Sequence, residues 1–220
     1  WATSMVACGD ADGAVTGNTR RFGASLDKIK QVVNVRDGEI MFGLNMVVHK
    51  GKTIFVGDTS VHEYPTSEQM AEIAISTARV VRLFGFDPKV AFVSHSTFGQ
   101  PLTSRTKHIR NAVDILKEKN VDFEFDGDMQ PDVALNPEYE ELYPFSKIVG
   151  KANILIMPGQ HSAAISYKMM KTFGDTKVIG PLLIGLGLPI EIAPLRTSTS
   201  ELINLASIAA YSADVINYKK

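Results

Sequence analysis

The sequence predicts an α/β fold, a mainly parallel sheet flanked by helices. Apolar, β-branched runs alternate along the chain with stretches of helical periodicity, the pattern of strands joined by crossover helices. The 220 residues, 45% of them hydrophobic, suffice for one large domain or two small lobes.

The elements follow in order. WATSMVAC (1–8) reads as the end of an apolar-faced helix. Because the chain opens at Trp1 without methionine, it is expected to be a fragment that has lost an N-terminal neighbour. IMFGLNMVVHKG and KTIFVGDTS flank a Lys-Gly turn and predict a hairpin. A helix is expected over 68–84, opened by a capping box in which Gln69 reaches back to the Thr66 amide, with Met70, Ile73, Ala74, Thr77, Val81 and Phe84 as its buried stripe. AFVSHS (91–96) is a strand before a helix whose Ile109, Ala112, Val113 and Leu116 keep i, i+3, i+4, i+7 spacing. NILIMP (153–158) precedes the helix SAAISYKMMKTFG, closed by its glycine at C′. KVIGPLLIGL (177–186) leads through a proline-bounded loop into a last helix. That helix opens on a second capping box, Ser198 to Glu201, and buries Leu202, Leu205, Ala206 and Ala209. Met129, Met157, Met169 and Met170 read as core filler.

A formal net charge of −1 offers no general field for nucleic acid or anionic membrane, so an anionic ligand must be held by local groups. The single cysteine, Cys8, excludes an internal disulfide framework and a cysteine-based zinc cluster. The longest apolar run, PLLIGLGLPI, is broken by glycine and proline and too short to span a bilayer. The lone cysteine makes the cytosol the expected compartment, and no signal peptide is visible.

GDADGAVTGNTR (9–20) is the most suggestive stretch. As a calcium loop it fails, because Ala14 stands where the third oxygen ligand belongs. A Walker loop would need Lys-Ser/Thr after its last glycine, and Asn18-Thr19 stands there. The dinucleotide glycine pattern is missing too. Two readings remain: a phosphate-binding turn with Thr16, Thr19, Arg20 and Arg21 beside it, or a plain tight turn whose aspartates cap helices. Composition alone favours the plain turn.

His161 and Ser162 sit near a helix N-terminus that attracts anions, or are simply first-turn residues. Lys168 and Lys171 contact phosphates or face water. His49, His62, His95 and His108 have no paired metal spacing, and His108 falls on the polar face of its helix. Asp126 and Asp128 resemble a metal pair, although a cap-and-loop device is the commoner use of such a turn.

GDADGAVTG, VHEYPTSEQMAEIAISTAR, KVAFVSHSTFGQP, DFEFDGDMQPDVALNP, GKANILIMP and VIGPLLIGLGLPI, in that order, resemble phosphate acetyltransferase. FEFDGDMQPDVALNPE and MPGQHSAAISYKMMK are most similar to the version fused behind the catalytic part of bacterial NADP-dependent malic enzymes. The resemblance runs along nearly the whole chain. It implies two α/β lobes around a cleft for coenzyme A or its acetyl ester, with 13–188 as the second lobe and 1–12 and 189–220 as remnants of the first. It also implies at least a dimer through the second lobe, and an absent malic-enzyme part holding NADP and a divalent metal, magnesium or manganese. The acetyl-CoA cleft would draw on Thr16, Gly17, Arg20, Gln160, His161, Ser162, Lys168, Pro194, Leu195 and Arg196.

Acetyl transfer in the family relies on a serine followed by arginine, with aspartate seven positions after the serine, and on a second arginine in the helix after the Tyr-Lys pair. These positions fall on Pro194, Leu195, Glu201 and Thr172. Arg196 is one place late. Loss of two guanidiniums from a dianion site costs on the order of 10³-fold in rate, while the nucleotide handle of the ligand is unaffected. The expectation is therefore a sensor that binds acetyl-CoA and inhibits the attached malic enzyme. The alternatives are an active phosphate acetyltransferase and a pure assembly module.

Overall fold

The computed structural model describes residues 1–217. The chain divides into two compact units: Trp1–Gly43 together with the chain from Ile179 onward, and Leu44–Val178. Segments 13–43 and 179–188, expected in the second lobe, thus fall in the first unit. The reason is a strand pair that local periodicity does not report.

In the first unit, α1 (Ala2–Cys8) ends on Gly9 in the left-handed region, φ 83°. The short strand β1 (Ala14–Gly17) then runs parallel to β8 (Ile190–Ala193), with Ala14 opposite Ile190 and Gly17 opposite Ala193. IEIA was expected as loop. The charge of Glu191 interrupts its apolar pattern, yet the carboxyl is buried and accepts from the Leu183 amide at 2.9 Å. Removal from water pushes Glu191 up to about 8, so it is a neutral acid near pH 7. Helix α2 (Phe22–Lys30) buries Leu26 and Ile29. The terminal helix, α7 (Thr199–Asn217), buries Leu205, Ala209 and Ala213. Ala206, expected inside, is exposed, because the buried stripe follows the i+4 row from Leu205.

The second unit carries β2 (Phe42–His49), β3 (Lys52–Gly57), β4 (Lys89–Val93), β5 (Glu124–Met129) and β6 (Ile154–Ile156), in the sheet order β5-β4-β6-β3-β2, and the chain then runs along β7 (Thr176–Ile184) from this unit into the first. β2 and β3 form the expected antiparallel hairpin. Its turn residues, Lys50 (φ 47°) and Gly51 (φ 78°), supply the left-handed pair that such a turn requires. The other pairs are parallel. EFDGDM is strand β5, so Asp126 and Asp128 lie on a strand instead of in a turn.

Helix α3 (Ser67–Leu83) opens on the expected capping box: Gln69 Oε1 accepts from the Thr66 amide at 2.8 Å, and Thr66 Oγ1 accepts from the Gln69 amide at 3.2 Å. It buries Met70, Ile73, Ala74, Thr77 and Val81. Phe84 stays half-buried at its end, its ring 5.9 Å from that of Phe55. Helix α4 (Ser104–Glu118) buries Ile109, Ala112, Val113 and Leu116 as the spacing predicts. A short helix α5 (Pro131–Leu135) follows β5. Helix α6 (Gln160–Thr172) starts two residues before the expected serine, and Gly174 stands at C′ with φ 90°. Among the methionines, Met129 and Met157 are core residues, but Met169 is 53% exposed.

Candidate functional site

In the first unit, the ends of β1 and β8 support one loop cluster. Gly17 has φ 101°, and a Cβ there would be driven into the Ala193 carbonyl oxygen, so the position needs glycine. Asn18 donates its amide to that carbonyl at 2.8 Å, and its Oδ1 accepts from the Thr197 amide at 3.1 Å. The turn Pro194–Thr197 is closed by Thr197 Oγ1 on the Pro194 carbonyl at 2.6 Å, with Arg196 in the left-handed region. Leu195 is 53% exposed. Ser198 and Glu201 then open α7: Glu201 Oε2 accepts from the Ser198 amide at 2.8 Å and from its hydroxyl at 2.7 Å.

A cavity of about 470 Å³ lies in this unit, and Thr16, Gly17, Thr19, Arg20, Ser25 and Lys28 are among the residues that line it. Both charged groups on its lining are cationic, so it suits an anion. Pro194, Leu195 and Arg196 are not part of that lining. Neither Asp10 nor Asp12 caps a helix, since α1 ends on Gly9 and α2 has Arg21 as its N-cap residue, without a side-chain cap.

In the second unit, β4 and β6 lie side by side. The chain leaves β4 through α4 toward β5, and leaves β6 through α6, which packs against β3. Neighbouring parallel strands with connections that diverge in this way leave a crevice at their carboxyl ends, where α/β proteins bind ligands. A cavity of about 610 Å³ occupies that place. Val93, Ile109, Met157 and Pro158 give it an apolar wall; Arg105, His95, His108 and His161 supply its basic groups, and Glu63 is its one carboxylate.

Each part of the rim has a local cause. Asp58 is buried, and its carboxylate accepts from the amides of Ser60 (2.8 Å), Val61 (3.1 Å) and His62 (2.7 Å) and meets the His62 ring Nδ1 at 2.7 Å. This winds the loop that presents Glu63 and Tyr64. Arg105 lies over the Tyr64 ring, 5.5 Å from its centroid. His108, expected on a polar face, is half-buried: Nε2 donates to the Pro65 carbonyl at 2.9 Å, and Nδ1 lies 3.1 Å from Ser67 Oγ. Buried Asp128 accepts a hydrogen bond from Ser96 Oγ and another from the Gly99 amide at 3.0 Å, which pins the loop after β4. That loop carries His95.

The ten residues expected at an acetyl-CoA cleft therefore divide. Thr16, Gly17, Arg20, Pro194, Leu195 and Arg196 belong to the first unit, and Gln160, His161, Ser162 and Lys168 to the second. In the second unit His161 and Ser162 line the cavity. Gln160 instead donates its amide to the Glu63 carbonyl at 3.3 Å, and Lys168 lies over the Tyr167 ring. Sequence reasoning missed Tyr64, Arg105 and Lys28. Arg105 had a usable signal, a cation in the first turn of a helix that follows a parallel strand.

A sequence profile of the family described as phosphate acetyl/butaryl transferase matches residues 1–210. The chain belongs to that family. Its relatives include an NADP-dependent malic enzyme of Rhizobium meliloti, 46% identical over 97% of this chain but only 28% of that protein. A phosphate acetyltransferase of Bacillus subtilis is 31% identical over 97% of this chain and 67% of that protein. Among solved structures, a phosphotransacetylase from Streptococcus pyogenes superposes with a TM-score of 0.89 at 30% identity, covering 96% of this chain and 65% of that one. The chain thus spans little more than a quarter of the malic-enzyme relative it matches. Among the described residues, no helix of this family member is long and apolar enough to cross a membrane.

Proposed function

We propose that this chain is the regulatory part of an NADP-dependent malic enzyme, a phosphate acetyltransferase-like domain that binds acetyl-CoA without turning it over. The observation that carries this reading is the turn after β8. Pro194 offers no hydroxyl, Leu195 is an exposed hydrocarbon where the family resemblance implies arginine, and the helix start beyond is filled by the chain's own Glu201. Transfer of an acetyl group between a phosphate and a thiol needs fixed cations on the developing charge; without them the rate falls on the order of 10³-fold. The cationic cavity lined by Arg20 and Lys28 suits the anionic handle of such a ligand.

In this reading the parent enzyme converts malate to pyruvate, CO₂ and NADPH. NADP and magnesium or manganese belong to a part outside this chain; among the described residues no group of three or more His, Cys, Asp or Glu side chains could hold a metal. Acetyl-CoA lies downstream of pyruvate and acts as an inhibitor, which requires that it bind two states of the assembly with different affinity. The assembly is at least a dimer. Ile165, Met169 and Phe173, one turn apart and 58%, 53% and 72% exposed, give the second unit an apolar stripe for it.

The second reading, an active phosphate acetyltransferase, draws on Arg20 beside Thr16 and Gly17. Two measurements separate the possibilities. Calorimetry with acetyl-CoA gives binding heat, and an assay of acetyl-CoA formation from acetyl phosphate and CoA gives no turnover above background. Robust turnover would establish the enzyme. Silence at millimolar acetyl-CoA would leave a pure assembly module.

A further inference from the structure

We propose that Asp37 is a site of spontaneous covalent modification, where the main chain reroutes through the side-chain carboxyl to give isoaspartate. The site lies wholly in the first unit and is independent of any ligand of the domain.

The chemistry suits an aspartate followed by glycine. The Gly38 nitrogen attacks Cγ of Asp37, and the amide proton and the displaced carboxyl hydroxyl leave as water. A five-membered succinimide remains. A water molecule then opens the ring at the former main-chain carbonyl, so the peptide link runs through Cγ and the α-carboxyl hangs free. Water is released once and consumed once, and nothing is oxidised or reduced. Glycine favours the step because it brings no Cβ to crowd the ring.

The sequence holds three such pairs: Asp12-Gly13, Asp37-Gly38 and Asp126-Gly127. The fold hinders two of them. Gly127 is buried in β5, its amide donates to Asp126 Oδ1 at 2.9 Å, and a Cβ there would stand 2.8 Å from Phe92. Gly13 leads directly into β1, where the carbonyl oxygens of Pro189 and Ala209 would lie 3.1 and 3.4 Å from a Cβ. Asp37 and Gly38 are both exposed, and nothing lies within 4 Å of a Cβ placed on Gly38. They are the central pair of a turn closed by the Glu39 amide on the Arg36 carbonyl at 3.0 Å, with Gly38 at φ 73°. Among the described residues the Gly38 amide has no acceptor.

The consequence reaches past the turn. The chain beside it is tied to the segment before β8. The Arg36 amide donates to the Gly185 carbonyl at 2.9 Å, Val35 bridges Leu186, and the Gly187 amide donates to the Asn34 carbonyl at 2.9 Å. Gly185 lies so close to the Ile40 carbonyl that a Cβ would collide with it. Isoaspartate lengthens the main chain by one methylene, which breaks the register of the turn and loosens these ties.

The test ages the full chain in warm neutral buffer, folded and in parallel unfolded in urea. Isoaspartate is then counted by enzymatic methyl transfer from S-adenosylmethionine and located by peptide mapping. The folded chain should carry at least about tenfold more label at Asp37 than at Asp12 or Asp126, while in urea all three carry it. Asp37→Glu cannot close the five-membered ring and should abolish the label of the folded chain; the side chain is exposed, so thermal unfolding should match the parent. Hydrogen exchange of the aged chain should rise at 34–40 and 185–187, and that of aged Asp37→Glu should not. No label at Asp37, folded and unfolded chains labelled in the same proportions, or label that survives Asp37→Glu would each overturn the proposal. Label at Asp37 with unchanged exchange at 185–187 would overturn the loosening.

Discussion

Two strand-to-helix junctions in this molecule solve one electrostatic problem in opposite ways. Beyond β8, the chain starts α7 with Ser198 and Glu201, and the carboxylate of Glu201 satisfies the Ser198 amide and hydroxyl. Beyond β6, α6 starts on Gly159 without a side-chain cap, and the His161 and Ser162 amides open into a cavity that Arg105 also lines. Helix starts carry partial positive charge and unsatisfied donors, so each must find an anion or water. At the first junction the protein supplies its own anion. At the second it leaves the position for something else. An intramolecular carboxylate competes with any external phosphate, so the first junction is closed to one by the chain itself.

The largest expected effect tests the closed junction. Acetyl-CoA formation from acetyl phosphate should run on the order of 10³-fold below that of an active phosphate acetyltransferase assayed alongside. Replacing Pro194→Ser and Leu195→Arg together should recover a measurable part of it; no recovery would mean that the defect lies elsewhere.

The next effect is on stability against pH. Burial holds the Glu191 carboxyl at about 8 against 4.5 in the unfolded chain. Between these values the unfolded state releases a proton that the folded state keeps, so stability falls as pH rises from about 4.5 to about 8 and is level beyond. Denaturant titrations of the chain and of Glu191→Gln should differ in slope across that window, by at most about 1.4 kcal/mol per pH unit. Parallel curves would show that the carboxyl is solvated in the folded state.

Smaller effects sharpen the contrast between helix starts. Glu201→Ala should cost about 1 kcal/mol in urea unfolding, and added sulfate should restore part of it by taking the vacated place. Thr66→Ala removes the hydroxyl from the capping box of α3 and should also cost about 1 kcal/mol, with no sulfate response, because the Gln69 amide oxygen still holds the Thr66 amide.

The sequence shows the long elements well, and the reason is physical. α3, α4 and the β2–β3 hairpin announce themselves through caps, a turn glycine and apolar residues at the period of their own geometry. β1 and β8 announce nothing, being four residues each, one embedded among glycines and the other centred on a glutamate. They exist because they pair with each other, residues 14 to 17 against 190 to 193, and only that distant pairing reveals which unit owns the segment from 13 to 43. Strand β5 hides its aspartates in the same way: Asp128 looks like a loop residue until Ser96 and the Gly99 amide are seen to satisfy it. The candidate sites were half legible. His161 and Ser162 follow from a helix start, but Tyr64 and Arg105 are forty-one positions apart in the chain and meet only when α3 and α4 pack together.

Asp58 decides how firm the rim of the larger cavity is. Its single carboxylate ties down three successive amides and the His62 imidazole, and the residues that follow directly are Glu63 and Tyr64. The seat of the Arg105 guanidinium is therefore fastened at one buried knot. A ligand that enters meets a wall already in place, and binding need not spend its free energy on ordering that loop.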